Sequence, residues 1–159
     1  MTQINEPNTA FMTDEVHTMP PDKKKFRLPK GRGEVILAIE DEEMLRDFLQ
    51  TILEDNGYRV ILAADGTEGL QTYIKRMNEI DLVLLDMGLP KMSGEEVLER
   101  IVATNSNVKV ISVSGSIEPE VQESVLHNGA AAYLAKPYLT EELLAKVDLT
   151  LHAGVRQPS

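Results

Sequence analysis

Five short apolar runs recur along this chain, and stretches of helical period separate them; this alternation constrains the fold more than any other feature. The runs are EVILAIED (34–41), RVILA (59–63), DLVLLD (81–86), VKVISVS (108–114) and AAYLA (131–135). Their length and β-branched content suit strands buried on both faces. Between them, Leu45, Phe48, Leu49, Ile52 and Leu53 fall on one helical face, as do Leu70, Tyr73, Ile74 and Met77. Val97, Leu98, Ile101 and Val102 form a third stripe, Val121 and Val125 anchor a fourth segment over 118–128, and Leu143, Leu144, Val147 and Leu151 form the last. Asn56-Gly57 and Asn128-Gly129 read as helix stops, and Thr140 ahead of Glu141 and Glu142 reads as an N-cap. Strands alternating with helices over short connections imply right-handed crossovers and a parallel sheet covered on both sides, hence an α/β fold.

With 159 residues, 42% of them hydrophobic, the chain can bury one sizeable core and is short for two. It holds no cysteine, which excludes disulfides and thiolate metal sites and suits a reducing cytoplasm. No segment approaches the roughly 20 apolar residues that a spanning helix needs, and the N-terminus lacks an apolar stretch of signal-peptide length, so membrane insertion is not expected. Residues 1–33 carry six bases against four acids, whereas the rest carries 22 acids against 10 bases. A domain that acidic repels a phosphate backbone, so direct nucleic-acid binding is not expected. The basic, proline-interrupted PDKKKFRLPKGR reads as solvated linker.

In parallel sheets of this kind, ligands bind outside the carboxyl ends of the strands. The first run ends in Glu40-Asp41-Glu42, the third in Asp86, the fourth in Ser114-Gly115-Ser116 and the fifth in Lys136-Pro137, while the second ends in Ala63-Ala64 and offers nothing comparable. If the first and third strands are neighbours, their carboxylates crowd and repel. A divalent cation resolves that conflict, and all-oxygen donors without His or Cys favour Mg²⁺. The same edge holds the parts for phosphoryl transfer: a carboxylate nucleophile, Asp86, with the Lys136 ammonium and the Ser114 hydroxyl to support it. Taken singly, each residue has an ordinary structural explanation, such as a turn aspartate or a surface lysine. Their convergence on one edge is what argues for function. His17, His127 and His152 have no chelating spacing, and no phosphate-binding G-x-x-x-x-G-K-[ST] occurs.

In order and spacing, ILAIEDEE, LVLLDMGLPKMSGEE, VISVSGS and AAYLAKP resemble the receiver domain of two-component response regulators, from about Glu34 to about Leu151. The resemblance implies a flavodoxin-like (βα)5 sandwich whose five-stranded parallel sheet has the order 2-1-3-4-5. It implies that Asp86 is the phosphoacceptor, Asp41 a direct Mg²⁺ ligand, Glu40 the adjoining acid and the Gly88 carbonyl a further ligand. Ser114 matches the switch hydroxyl, Lys136 the phosphate-binding lysine and Tyr133 the aromatic switch; the Lys136-Pro137 bond is usually cis in the family. The implied partners are a histidine kinase or histidine phosphotransfer protein docking near the first helix, and a downstream protein target reading the fourth helix, fifth strand and fifth helix. A phosphorylation-dependent homodimer is compatible with that face. The chain is then a phosphorylated switch assisting its own phosphotransfer and dephosphorylation, not an enzyme acting on other substrates.

Departures from the commonest pattern are Glu40 for Asp, Ser114 for Thr, and Gly88, which has no side chain to orient or block a water. The expected organisation is a linker over 1–33, a receiver domain over 34–153 and a tail over 154–159. No segment after Leu151 is long enough for an output domain, so a stand-alone receiver or the receiver of a hybrid histidine kinase is expected, and RLPKGRGEVILAIEDE favours the latter. One rival is a haloacid-dehalogenase-type phosphatase, which needs a second Asp where Gly88 stands. The other is a degenerate receiver acting only as a binding module, although the acceptor, acid pair and lysine are all retained.

Overall fold

The computed structural model describes residues 28–153. Five strands alternate with five helices: β1 (Val35–Ile39), α1 (Glu43–Asp55), β2 (Arg59–Ala63), α2 (Gly66–Arg76), β3 (Leu82–Asp86), α3 (Gly94–Thr104), β4 (Val110–Ser114), α4 (Pro119–His127), β5 (Ala132–Ala135) and α5 (Thr140–Leu151). All pairings are parallel and the strand order is β2-β1-β3-β4-β5, the flavodoxin-like order expected for the sheet. Strand residues alternate between two apolar clusters, as the pleat requires. Leu37, Ile39, Val83 and Leu85 meet side chains of α2, α3 and α4, including Leu70, Tyr73, Val97, Ile101 and Val125. Ile36, Ala38, Leu82, Leu84, Ile111 and Val113 meet α1 and α5 through Leu49, Leu53, Leu143, Leu144 and Val147.

Local chemistry sets the helix ends. The Asp65 carboxylate accepts from the Glu68 amide at 2.8 Å, and the Glu68 side chain accepts in return from the Ala64 amide at 2.9 Å. The Ser93 hydroxyl accepts from the Glu96 amide at 3.2 Å to open α3. Gly57 at φ +92° and Gly129 at φ +110° follow the asparagines that close α1 and α4, as expected. Helix α5 departs from expectation: Leu139, with φ −79° and ψ 153°, is its N-cap, and Thr140 is already helical. The extended backbone gives way to the helix one residue early, so the Thr140 hydroxyl makes no cap bond.

Three further differences concern burial. The apolar run of β2 predicts burial on both faces, but it is an edge strand with Arg59 exposed and Val60, Ile61 and Leu62 half-buried. Phe48 and Ile74 share the apolar stripes of α1 and α2, yet are 39% and 50% exposed, because each stripe is wider than the strip of helix that meets the sheet. The expected linker also differs in part: residues 1–27 lie outside the described residues, while residues 28–33 lie against the domain. Gly31 and Gly33 amides donate to the Asn56 and Gly57 carbonyls at 2.7 and 2.8 Å, and Leu28 packs on the α1–α5 cluster. A Cβ on Gly31 would sit 2.5 Å from the Tyr58 ring, so glycine permits this approach.

That contact helps bury Tyr58, whose hydroxyl has no hydrogen-bond partner among the described residues. Burial, reinforced by Asp148 and Glu34, pushes its pKa up to about 12. Tyr58→Phe removes an unsatisfied polar atom while keeping the ring, and is expected to leave stability unchanged or raise it by about 1 kcal/mol in urea denaturation.

Candidate functional site

The parallel register brings the carboxyl ends of β1 and β3 side by side. Ile39 pairs with Leu85, so Glu40 and Asp86 follow as neighbours at the sheet edge, while Asp86 itself pairs with Val113 on β4. Glu40 is 3% and Asp86 7% exposed, and Asp41 stands at the open rim. One carboxylate oxygen from each of Glu40, Asp41 and Asp86 lies within 4.8 Å of the others. Lys136, just past β5, reaches in from the far side, with Nζ 3.2 Å from Glu40 Oε2 and 3.2 Å from Asp86 Oδ2.

Among the described residues, three carboxylates thus face one ammonium, an excess of negative charge at the carboxylate oxygens when all are ionised. The consequence shows at Glu40, whose pKa burial and the adjacent Asp86 push up to about 6, against the opposing pull of the Glu42 amide and Lys136. Burial works against the Lys136 charge, but Asp86 and Glu40 outweigh it and hold that pKa above its ordinary value. A divalent cation matches both the all-oxygen donors and the charge deficit, so these residues fit Mg²⁺.

The loops around the acids are tied down. The Gly88 amide donates to Asp86 Oδ1 at 2.9 Å, and the Glu42 amide donates to Glu40 Oε1 at 3.2 Å. The Lys136 amide donates to the Ser114 carbonyl at 2.8 Å, locking the ends of β4 and β5 together, and the Lys136-Pro137 bond is cis. Ser114 is buried, its hydroxyl accepting from the Ser116 amide at 3.1 Å, so its own proton is free to donate. Tyr133 is buried on the α2–α4 side and its hydroxyl donates to the Ser116 carbonyl.

All seven residues singled out from the sequence therefore fall at or beside this edge, with Glu40, Asp41, Asp86 and Lys136 in one cluster. Two further residues, Tyr138 and Arg46, give no sequence signal, and Gly94 lies within the LVLLDMGLPKMSGEE run with no role attached to it. Tyr138 lies beside the cluster: burial raises its phenol pKa, the nearby Lys136 opposes that, and Glu40 and Asp86 add to it. With Leu45, Phe48 and Pro137 it also lines an apolar groove next to Lys136. Arg46, on α1, donates to backbone carbonyls of the acidic loop. At Gly94, the first residue of α3, a Cβ would stand 2.5 Å from Met87 Cα and 2.8 Å from the Asp86 carbonyl.

Acids at the ends of β1 and β3, with a lysine just past β5 reaching across them, define an α/β sandwich with an acid-lined sheet edge. The model of the response regulator receiver domain matches residues 36–148, and the chain belongs to that family of two-component signalling switches. It is 37% identical over 114 residues to the transcriptional regulatory protein DltR of Streptococcus agalactiae, covering 72% of this chain and 50% of that protein. It is 31% identical over 120 residues to the chemotaxis protein CheY of Treponema pallidum, covering 75% of this chain and 83% of CheY. The chain spans about half the length of several curated relatives it matches, DltR among them. Among solved structures, a receiver domain protein of Clostridium thermocellum superposes with TM-score 0.72 at 30% identity, covering 75% of this chain and 94% of that one. CheY in the CheX–CheY–BeF3–Mg²⁺ complex of Borrelia burgdorferi gives 0.69 at 28% identity, covering 78% and 90%.

Two outcomes follow from this geometry. Gly94→Ala is expected to cost about 1–3 kcal/mol in chemical denaturation, because the added methyl meets backbone that cannot yield cheaply. For Glu40, folding raises the pKa from 4.5 to about 6, so the native state holds this proton more tightly than the unfolded chain does. Its stabilising contribution is complete below about pH 4.5 and is lost as pH rises through about 6, a swing of about 2 kcal/mol. Glu40→Gln cannot ionise, so its stability relative to the parent should improve by up to that amount between pH 4 and pH 7.5 in metal-free urea titrations.

Proposed function

We propose that this chain is a phosphoacceptor in a His–Asp phosphorelay, taking a phosphoryl group on Asp86. The observation that carries this reading is the Lys136 ammonium held 3.2 Å from both Asp86 and Glu40, with Asp41 completing the acid cluster. Glu40, Asp41, Asp86 and the Gly88 carbonyl would hold Mg²⁺, which when bound supplies positive charge against the phosphoryl oxygens. An Asp86 carboxylate oxygen attacks the phosphorus of a phosphohistidine; the new O–P bond forms as the P–N bond breaks, and the electron pair leaves with the imidazole. Lys136 pairs with one phosphoryl oxygen and the Ser114 hydroxyl donates to another. Water later hydrolyses the acyl phosphate, and Gly88 leaves that approach open.

The signal leaves through the β4–α4 loop. When Ser114 turns to the phosphoryl group it gives up its bond from the Ser116 amide, which frees the loop and with it the carbonyl that holds Tyr133. The readout face is α4, β5 and α5, with Leu149 on α5 68% exposed and Ile117, in the loop before α4, 84% exposed. It serves a downstream protein or a second copy of the chain. The histidine donor, a kinase or a phosphotransfer protein, docks over α1 and the groove of Leu45, Phe48, Pro137 and Tyr138. The domain extends over 34–153 and works in the cytoplasm, without direct nucleic-acid contact or membrane insertion; no described helix is long and apolar enough to cross a membrane. A free-standing receiver and the receiver of a hybrid kinase share this chemistry.

Incubation with acetyl phosphate and Mg²⁺ is expected to add one phosphoryl mass to the intact protein, absent in Asp86→Asn and formed on the order of 10²-fold more slowly in Lys136→Met. No adduct on the parent would favour a non-phosphorylated binding module, and turnover of added phosphomonoesters would favour a phosphatase.

A further inference from the structure

We propose that Arg46 is the positioning residue of the acidic loop, holding Glu40 and Asp41 where they can share a cation with Asp86. The proposal deepens the phosphoacceptor reading and rests on it for the identity of the cation. Arg46 lies in the first turn of α1, four residues after Glu42, and its amide donates to the Glu42 carbonyl at 3.0 Å. Its side chain turns back over the helix start. Nη1 donates to the Glu40 carbonyl at 2.9 Å and to the Asp41 carbonyl at 2.7 Å. One nitrogen with two protons therefore spans the two successive peptides that carry the acids.

The loop needs such a tie. The N-cap of α1, Glu42, makes no side-chain cap bond, so the start of the helix does not anchor the loop in the usual way. Repulsion among Glu40, Asp41 and Asp86 pushes it outward, and Asp41, at the rim, is not packed into place. Against this stand the Glu40 amide bonded to the Ala63 carbonyl at 3.1 Å, the Glu40 side chain pinned by Lys136 and the Glu42 amide, and the Arg46 bonds to the main chain beyond them. Lys136 acts on carboxylates, whereas Arg46 acts on carbonyls and itself takes up no carboxylate oxygen. Charge-assisted bonds to carbonyls, and a permanent positive charge behind the acid pair, fix the loop without occupying the site. Groups that orient metal ligands in this way typically govern metal affinity by 10- to 100-fold.

The test compares the parent with Arg46→Met, which keeps the stem and loses the donors, and Arg46→Lys, which restores a charge and a donor. Two readouts are made on the unphosphorylated full chain: the Mg²⁺ dissociation constant by calorimetric titration, and amide hydrogen exchange at Asp41–Glu43 without metal. The expected result is Mg²⁺ binding about 10-fold weaker or worse in Arg46→Met, faster exchange confined to the loop, and partial recovery of both in Arg46→Lys. Unchanged affinity together with unchanged loop exchange overturns the proposal, as does a global loss of stability in Arg46→Met with Mg²⁺ affinity intact. If the parent itself binds no Mg²⁺, the phosphoacceptor reading fails, while the loop exchange still decides whether Arg46 positions the acids.

Discussion

The structure of the carboxyl edge turns on one electrostatic conflict: three carboxylates share a space in which Lys136 is, among the described residues, the one cation that reaches the carboxylate oxygens. Burial sharpens the conflict, since Glu40 and Asp86 have little water to screen them, and burial first, then the Asp86 charge, raises the pKa of Glu40. A chain optimised for stability alone would have relieved it with an apolar pair or a second base. Retaining it leaves a pocket with a demand for positive charge that a cation would answer at little reorganisation cost.

The sheet order is what creates the conflict. Placing β3 next to β1, and not next to β2, sets Asp86 beside residues 45 and 46 positions earlier in the chain; β4 and β5 then bring Ser114 and Lys136 from the other side. β2, displaced to the edge, contributes apolar cover and no site chemistry. The helices matter here mainly through their first residues: Gly94 lets α3 begin directly against the Asp86 backbone, and α1 begins where Arg46 can reach back over the acidic loop.

Much of this was legible in the sequence because period and punctuation are local properties. Every strand and helix could be read from apolar spacing, and the helix stops at Gly57 and Gly129 from their asparagine-glycine pairs. The acid cluster and its lysine were legible because a parallel sheet sends all its strand ends to one edge. What escaped depends on contacts between elements. Phe48 and Ile74 obey the helical period yet stay exposed, since period says which side faces the sheet and not how much of it the sheet covers. Residues 28–33 look like linker by composition, and only the Tyr58 ring and the carbonyls of the α1–β2 turn make them part of the packed structure. Arg46 and Tyr138 look like an ordinary helix arginine and loop aromatic until the loops are folded around them.

The same dependence on contacts bears on switching. Ser114 and Tyr133 both act on Ser116, one through its amide and the other through its carbonyl. The two bonds hold the peptide units on either side of the Ser116 Cα, so side chains from two different strands fix one residue. Tyr133 is buried and its hydroxyl needs a partner, so the ring keeps its place only while the Ser116 carbonyl keeps its own. Under the phosphoacceptor reading, turning the Ser114 hydroxyl toward Asp86 removes one of the two holds, and the β4–α4 loop and Tyr133 then rearrange together. On that reading, one short loop would couple the site to the α4-β5-α5 face, without requiring the sheet or the cores on either side of it to deform.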